Sequence, residues 1–377
     1  MPEQITIGAL RETVRGELRI TVTPEIVRRY QALGAELLLE KGVGTTTFLS
    51  DSDFPLENFA PSGLEVLQQA DIVLKVQPPG SEELAAMKEG SVLIGLLQPY
   101  RDANLVKTLQ AKKITAFAME LLPRVTRAQG MDILSSQSAI VGYRSVLIAA
   151  DHCPKFFPML TFATGTIRPA RVLVIGAGVV GLQAIATARR LGAMVEGYDI
   201  RPETREQIES LGAKFVDTGV MATGMGGYAR ELSIEEKHRQ SEKLGRAVAQ
   251  CDVLITTAAV PGKRAPQIIS SEMIAAMRPG TVIVDTAAES GGNVAGSIAG
   301  AKVCMANQVS IIGPTHIASR MPIHASDLIA KNLFNFISPF IKEGKLSLDW
   351  EDEVLAGTCL THAGEIRHAG VKQILGL

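Results

Sequence analysis

Short apolar runs alternate along this chain with segments whose apolar residues recur every three or four positions. ITIGAL (5–10), AELLLE (35–40), ADIVLKV (70–76), SVLIGLL (91–97) and KITAFAM (113–119) read as strands covered on both faces. Helical patterns separate them, over 24–33, with Thr23 as N-cap and Pro24 at the first helical position, and near 61–69, 81–88 and 102–111. The pattern turns helical over 135–150, and a Pro-, Gly- and Thr-rich loop, CPKFFPMLTFATGTIRPA, follows. A second strand series then begins: 171–178, 194–200, 214–217, 252–259, 281–288 and a stretch within 301–312. An amphipathic helix over 325–341 and a tail with strand character over 352–366 complete the pattern.

Strands alternating with helices predict parallel sheets covered by helices. The fold class expected is α/β, with two doubly wound Rossmann-like domains linked by the long helices near 135–150 and 325–341. The N-terminal domain takes residues 1–134 and 325–377, and the second takes 135–324. The polar stretch 218–245 reads as a loop leading into a helix.

Composition narrows the function classes. Lys and Arg number 38 against 39 Asp and Glu, a net charge of -1, and no basic stripe with interleaved aromatics occurs, so no nucleic-acid partner is expected. The four cysteines are scattered without a C-x-x-C pair and read as free thiols. The six histidines show no metal-ligand spacing, so no metal is expected. The N-terminus lacks the order of a signal peptide. No run of about 18 or more apolar residues is found, and glycines interrupt the best candidate, VLVIGAGVVGLQAIATA.

Those glycines carry the strongest local signal. Gly176, Gly178 and Gly181 form G-x-G-x-x-G between an apolar strand and a helix, with Ala177 and Val179 completing the turn. The first glycine permits a tight turn, the second lets a pyrophosphate approach the backbone, and the third lets helix and strand pack closely. The helix N-terminus offers free N–H groups to the phosphates. Asp199 ends the next strand at the expected offset of about 20 residues, where a carboxylate accepts ribose hydroxyls and repels a 2′-phosphate. That favours NAD over NADP. Ile200 and Arg201 follow, and Arg201 leaves a phosphate-binding alternative open.

A second segment, PRVTRAQGMDILSSQSAIVGYRSV (123–146), resembles the signature of domain I of the proton-translocating nicotinamide nucleotide transhydrogenases. RITVTPE (19–25), VLKVQPP (73–79), AFAMELLPR (116–124), GLQAIATARRLGA (181–193), GGYA (226–229), ITTAAVPGKRAP (255–266) and AGTC (356–359) extend the likeness over nearly the whole chain. In that family domain I binds NAD(H), while NADP(H) sits on domain III of a beta subunit and a membrane-spanning subunit couples hydride transfer to proton movement. The resemblance implies that Arg124 and Asp132 anchor the nicotinamide and its ribose, that Ser135 lies close to the carboxamide, and that Gln129 reaches toward the partner's NADP(H). It implies a mobile loop carrying Gly227 and Tyr228, a cofactor-facing segment Ala258, Ala259 and Val260, a homodimer, and a cytoplasmic, peripheral place on the inner membrane face. Spacing alone leaves open that Arg124, Gln129 and Asp132 merely cap the helix starting near Ser135.

The pattern also resembles alanine dehydrogenase, in which a Lys and a His act on a keto acid and an Arg binds its carboxylate. Lys75 and Arg19 stand at two of those places, but Gln98 stands near the third, and no His occurs before position 152. Glutamine cannot shuttle a proton near neutral pH. An amino-acid oxidoreductase and a non-catalytic NAD-binding regulatory module are the alternatives.

Overall fold

The computed structural model describes residues 4–222, 230, 232–259 and 264–377. Eighteen strands occur among these residues. The first five are β1 (Thr6–Ala9), β2 (Glu36–Leu39), β3 (Ile72–Lys75), β4 (Val92–Gly95) and β5 (Thr115–Ala118). Next come β6 (Leu160–Phe162), β7 (Gly165–Ile167), β8 (Arg171–Ile175), β9 (Met194–Tyr198), β10 (Lys214–Phe215), β11 (Val253–Thr256), β12 (Val282–Asp285), β13 (Lys302–Cys304) and β14 (Ser310–Ile312). The last four are β15 (Ile341–Lys342), β16 (Lys345–Leu346), β17 (Cys359–His362) and β18 (Glu365–Ile366).

The chain divides into two compact units, residues 1–137 with 318–377, and residues 138–317. Each is built on one seven-stranded sheet. In the first the order is β18-β17-β5-β4-β3-β1-β2, and in the second β10-β9-β8-β11-β12-β14-β13. Both are Rossmann-like and mostly parallel. Their edges are not: β17 runs antiparallel to β5, β18 to β17, and β13 to β14. The links within β13–β14 and β17–β18 are too short for the crossover a parallel pair needs.

Both sheets bury both faces. In β3, Ile72 and Leu74 enter one core while Val73 enters the other. In β8, Val172 and Val174 face one side, with Leu173 and Ile175 on the other. Successive side chains of a strand point oppositely, and each Val, Leu or Ile buried this way contributes roughly 1.5–3 kcal/mol. This is why these strands read as continuous apolar runs.

Three local expectations change. The loop after 152 contains the hairpin β6–β7. The tail over 352–366 opens with a helix, Glu353–Thr358, because the Asp352 carboxylate accepts the N–H groups of Val354 and Leu355 at 2.9 and 3.0 Å. The amphipathic helix runs from Pro322 to Ile337 and lies wholly in the first unit. The helix Ile133–His152 does meet the length and hydropathy of a membrane span, because its apolar residues are interspersed with Ser and Gly rather than forming an unbroken run. It is partly buried in the fold, and composition alone is weak grounds for a span.

Candidate functional site

In the second unit, β8 is followed by the glycine turn and β11 by a loop beginning at Thr257. These strands are neighbours where the strand order reverses, the position at which open α/β sheets bind ligands. Gly176 adopts φ +91°, in the left-handed region. A Cβ there would stand 2.6 Å from the Thr257 hydroxyl and 3.2 Å from the Ala258 nitrogen. A Cβ on Gly181 would stand 1.7 Å from the Gly176 oxygen, so helix and turn meet backbone to backbone. Gly178 differs, since a Cβ there meets nothing within 4 Å. It is the N-cap of the helix Val179–Arg190, and no side chain caps that end. Open space before an uncapped helix N-terminus fits a pyrophosphate.

Asp199 follows β9 and is 7% exposed. Its carboxylate already has donors: Ala177 N at 2.7 Å, Arg201 N and Nε at 2.9 Å each, and Arg201 Nη2 at 2.7 Å. Burial alone would raise its pKa, but the Arg201 and backbone hydrogen bonds outweigh burial and hold it below the usual carboxylate value. The Ile200 oxygen accepts from Ala222 N at 2.8 Å. Ala258 is partly buried and Ala259 exposed. Gly227, Tyr228 and Val260 lie outside the described residues. Sequence reasoning missed Thr257, whose hydroxyl donates to the oxygens of Ile175 at 3.2 Å and Gly176 at 3.0 Å. Its only signal was a hydroxyl residue just past the strand end.

The segment 124–135 belongs to the first unit. Arg124 and Gln129 are exposed. Asp132 accepts from Ser135 N at 2.9 Å and Ser135 Oγ at 2.5 Å, which makes it a cap for the helix Ile133–His152. The turn is pinned where the Gly130 oxygen accepts the side-chain amides of Asn332 and Asn335, each at 2.9 Å. Capping therefore accounts for Asp132 and Ser135 but leaves Gln129 presented to solvent.

The carboxyl edge of the first sheet is crowded with charge. Lys75, 1% exposed, meets Glu83 at 2.9 Å and Glu12 at 3.2 Å. Burial raises the Glu12 pKa, and Lys75 only partly offsets this. Glu12 also accepts Val76 N at 2.5 Å and Gln77 N at 3.3 Å. Arg19 grips Glu17 through Nε at 2.7 Å and Nη2 at 2.6 Å. Burial opposes ionisation of Glu17, yet Arg19, Gln77 and Ser319 bring its pKa down to about 2. Gln98 sits at φ +48°, its N–H held by Glu120 at 2.7 Å. Lys75 and Arg19 are thus engaged by carboxylates of their own unit. Among the described residues no group of His, Cys, Asp and Glu is arranged to hold a metal.

The models "Alanine dehydrogenase/PNT, N-terminal domain" and "C-terminal domain" match residues 8–141 and 145–369. The chain is 45% identical over 375 residues to the first portion of the NAD(P) transhydrogenase subunit alpha of Rhodospirillum rubrum, covering 96% of this chain and 97% of that one. Its fold is similar to the crystal structure of transhydrogenase from Sinorhizobium meliloti, with TM-score 0.86, 37% identity, and coverage of 96% and 99%. An L-alanine dehydrogenase structure, at 23% identity, TM-score 0.81 and 99% coverage of both chains, shares the fold. The chain belongs to the alanine dehydrogenase/PNT family, and within it to the NAD(P) transhydrogenase alpha subunits.

Proposed function

We propose that this chain is the NAD(H)-binding component of a proton-translocating transhydrogenase. The observation that carries the reading is the open cradle at Gly178, set beside a carboxylate at Asp199 on the neighbouring strand end. The N–H groups opening the helix Val179–Arg190 bind the pyrophosphate. Asp199 yields acceptor oxygens to the adenosine ribose, which requires Arg201 to swing aside, and its negative charge disfavours a 2′-phosphate. A bound NADH supplies a hydride to NADP+ on a partner, giving NAD+ and NADPH without taking a proton from any substrate.

Such a transfer needs positioning and exclusion of water, not a general acid or base. That demand suits the segment 124–135. Arg124, Asp132 and Ser135 orient the nicotinamide end, and exposed Gln129 serves the partner's NADP(H). Gly227 and Tyr228 belong to the loop assigned to closure, and Ala258, Ala259 and Val260 to the cofactor-facing segment. The partners are an NADP(H)-binding beta subunit, a membrane-spanning subunit and a second copy of this chain. Assembly through them gives a peripheral, cytoplasmic position on the inner membrane face.

Purified alone, the protein is expected to bind NADH and to show no alanine- or pyruvate-dependent turnover. Mixed with an NADP(H)-binding domain, it is expected to exchange hydride between NADH and NADP+. Replacing Gln129 is expected to leave NADH affinity nearly unchanged and to slow that exchange severely, while Asp199→Ala weakens NADH binding. Robust alanine oxidation by the isolated chain would overturn the assignment, and NADH binding with no turnover in any mixture would favour a regulatory module.

A further inference from the structure

Beyond the glycine turn and Asp199, the second unit contains a buried amide placed to organise the nucleotide-facing loop. Asn293 is fully buried. Its Oδ1 accepts Ala258 N at 3.0 Å, and its Nδ2 donates to the oxygens of Ala258 and Pro266, both at 2.8 Å. Both donors of the amide are thereby used. One side chain satisfies both polar groups of Ala258 and ties that residue to Pro266, eight positions on. Ala258 is the residue whose nitrogen lies 3.2 Å from the position of a Gly176 Cβ.

Asn293 is itself fixed from behind. Its N–H donates to Asp285 Oδ2 at 3.0 Å, and the same carboxylate takes Val294 N, Ala287 N and the Thr256 hydroxyl at 3.3, 3.1 and 3.1 Å. Asp285 ends β12 and Thr256 ends β11, so the anchor lies at the carboxyl edge of two adjacent strands. Gly291 and Gly292, at φ +104° and +76°, turn the chain so that Asn293 faces the loop. A Cβ on Gly292 would stand 2.8 Å from Asp285 Oδ2, so glycine is needed for the carboxylate to fit.

We infer that Asn293, held by Asp285, is a positioning residue for nucleotide binding: it sets the backbone at Ala258 against the glycine turn. The inference rests on the nucleotide reading of the second unit. A stability latch alone would not require both polar groups of the one residue beside Gly176.

The test compares two amide clamps of the same unit. Asn307 donates to the oxygens of Ile274 and Met277 at 2.8 and 3.4 Å, near the helix Ser271–Ala275. Asn293→Ala and Asn307→Ala are both expected to lower the melting temperature. Only Asn293→Ala is expected to raise the Kd for NADH, by about 10-fold or more, ~1.4 kcal/mol, with hydride exchange recovering at saturating NADH. Asn293→Asp keeps size and the acceptor oxygen but sets a carboxylate against two carbonyls, and is expected to weaken NADH similarly. Wild-type affinity in a folded Asn293 variant, or an equal loss in Asn307→Ala, would overturn the inference. Failure of both Asn293 variants to fold would overturn it too, in favour of a purely structural latch. Absence of NADH binding by the unaltered protein would instead refute the nucleotide reading.

Discussion

The two sheets share strand logic and differ at their carboxyl edges. In the second unit the crevice beside β8 is bounded by glycines, and the space above Gly178 is open. In the first unit the matching crevice, between β1 and β3, holds the Glu12 carboxylate on Val76 N, Gln77 N and the Lys75 ammonium. One edge admits a ligand anion, and the other supplies an anion from its own chain. The lesson is that a doubly wound sheet offers a position for chemistry, and the side chains after each strand decide whether it is used.

The contrast can be broken in three places. Lys75→Met would leave Glu12 and Glu83 buried without their cation, a loss of roughly 3–5 kcal/mol. Urea denaturation should register it with NADH affinity unchanged; unchanged stability with impaired binding would reverse the roles of the two edges. Gly178→Val comes next. The residue has φ -78° and room for a side chain, so the melting temperature should hold while NADH affinity falls roughly 100-fold, about 2.8 kcal/mol. Retained affinity would mean that the phosphates do not use this cradle.

The smallest effect concerns pH. Glu17 titrates at about 2 when folded against an ordinary 4.5, so its contribution is complete above the higher value and is lost as pH falls through the lower. Between pH 5 and 3 the protein should therefore lose about 2 kcal/mol more stability than Glu17→Gln does. Equal slopes in the two proteins would show that Arg19 and Glu17 are not coupled as the structure places them.

Legibility followed the range of each interaction. Strands such as 72–75 and 253–256 were readable because a buried parallel strand must be apolar on both faces, whatever lies beside it. The glycine turn was readable because its three demands fall within six residues. The helix at 353–358 was obscured by its brevity and by the apolar run after it, although the cap at Asp352 was present in the sequence. The direction of β13 and β17 depended on which edge each strand joined. Asn293 carried no signal, since two glycines and an amide specify nothing until Asp285 and Ala258 are brought to them.

By itself, then, the sequence determined the α/β alternation, the glycine turn with its helix, and the acid about twenty residues on. Each is set by neighbours along the chain, through side-chain period and backbone freedom. Tertiary structure alone decided that Arg201 and Ala177 share Asp199, that Lys75 and Arg19 are neutralised by Glu12, Glu83 and Glu17, and that Asn293 clamps Ala258. Those pairings depend on sheet order, which brings the ends of distant strands to one edge.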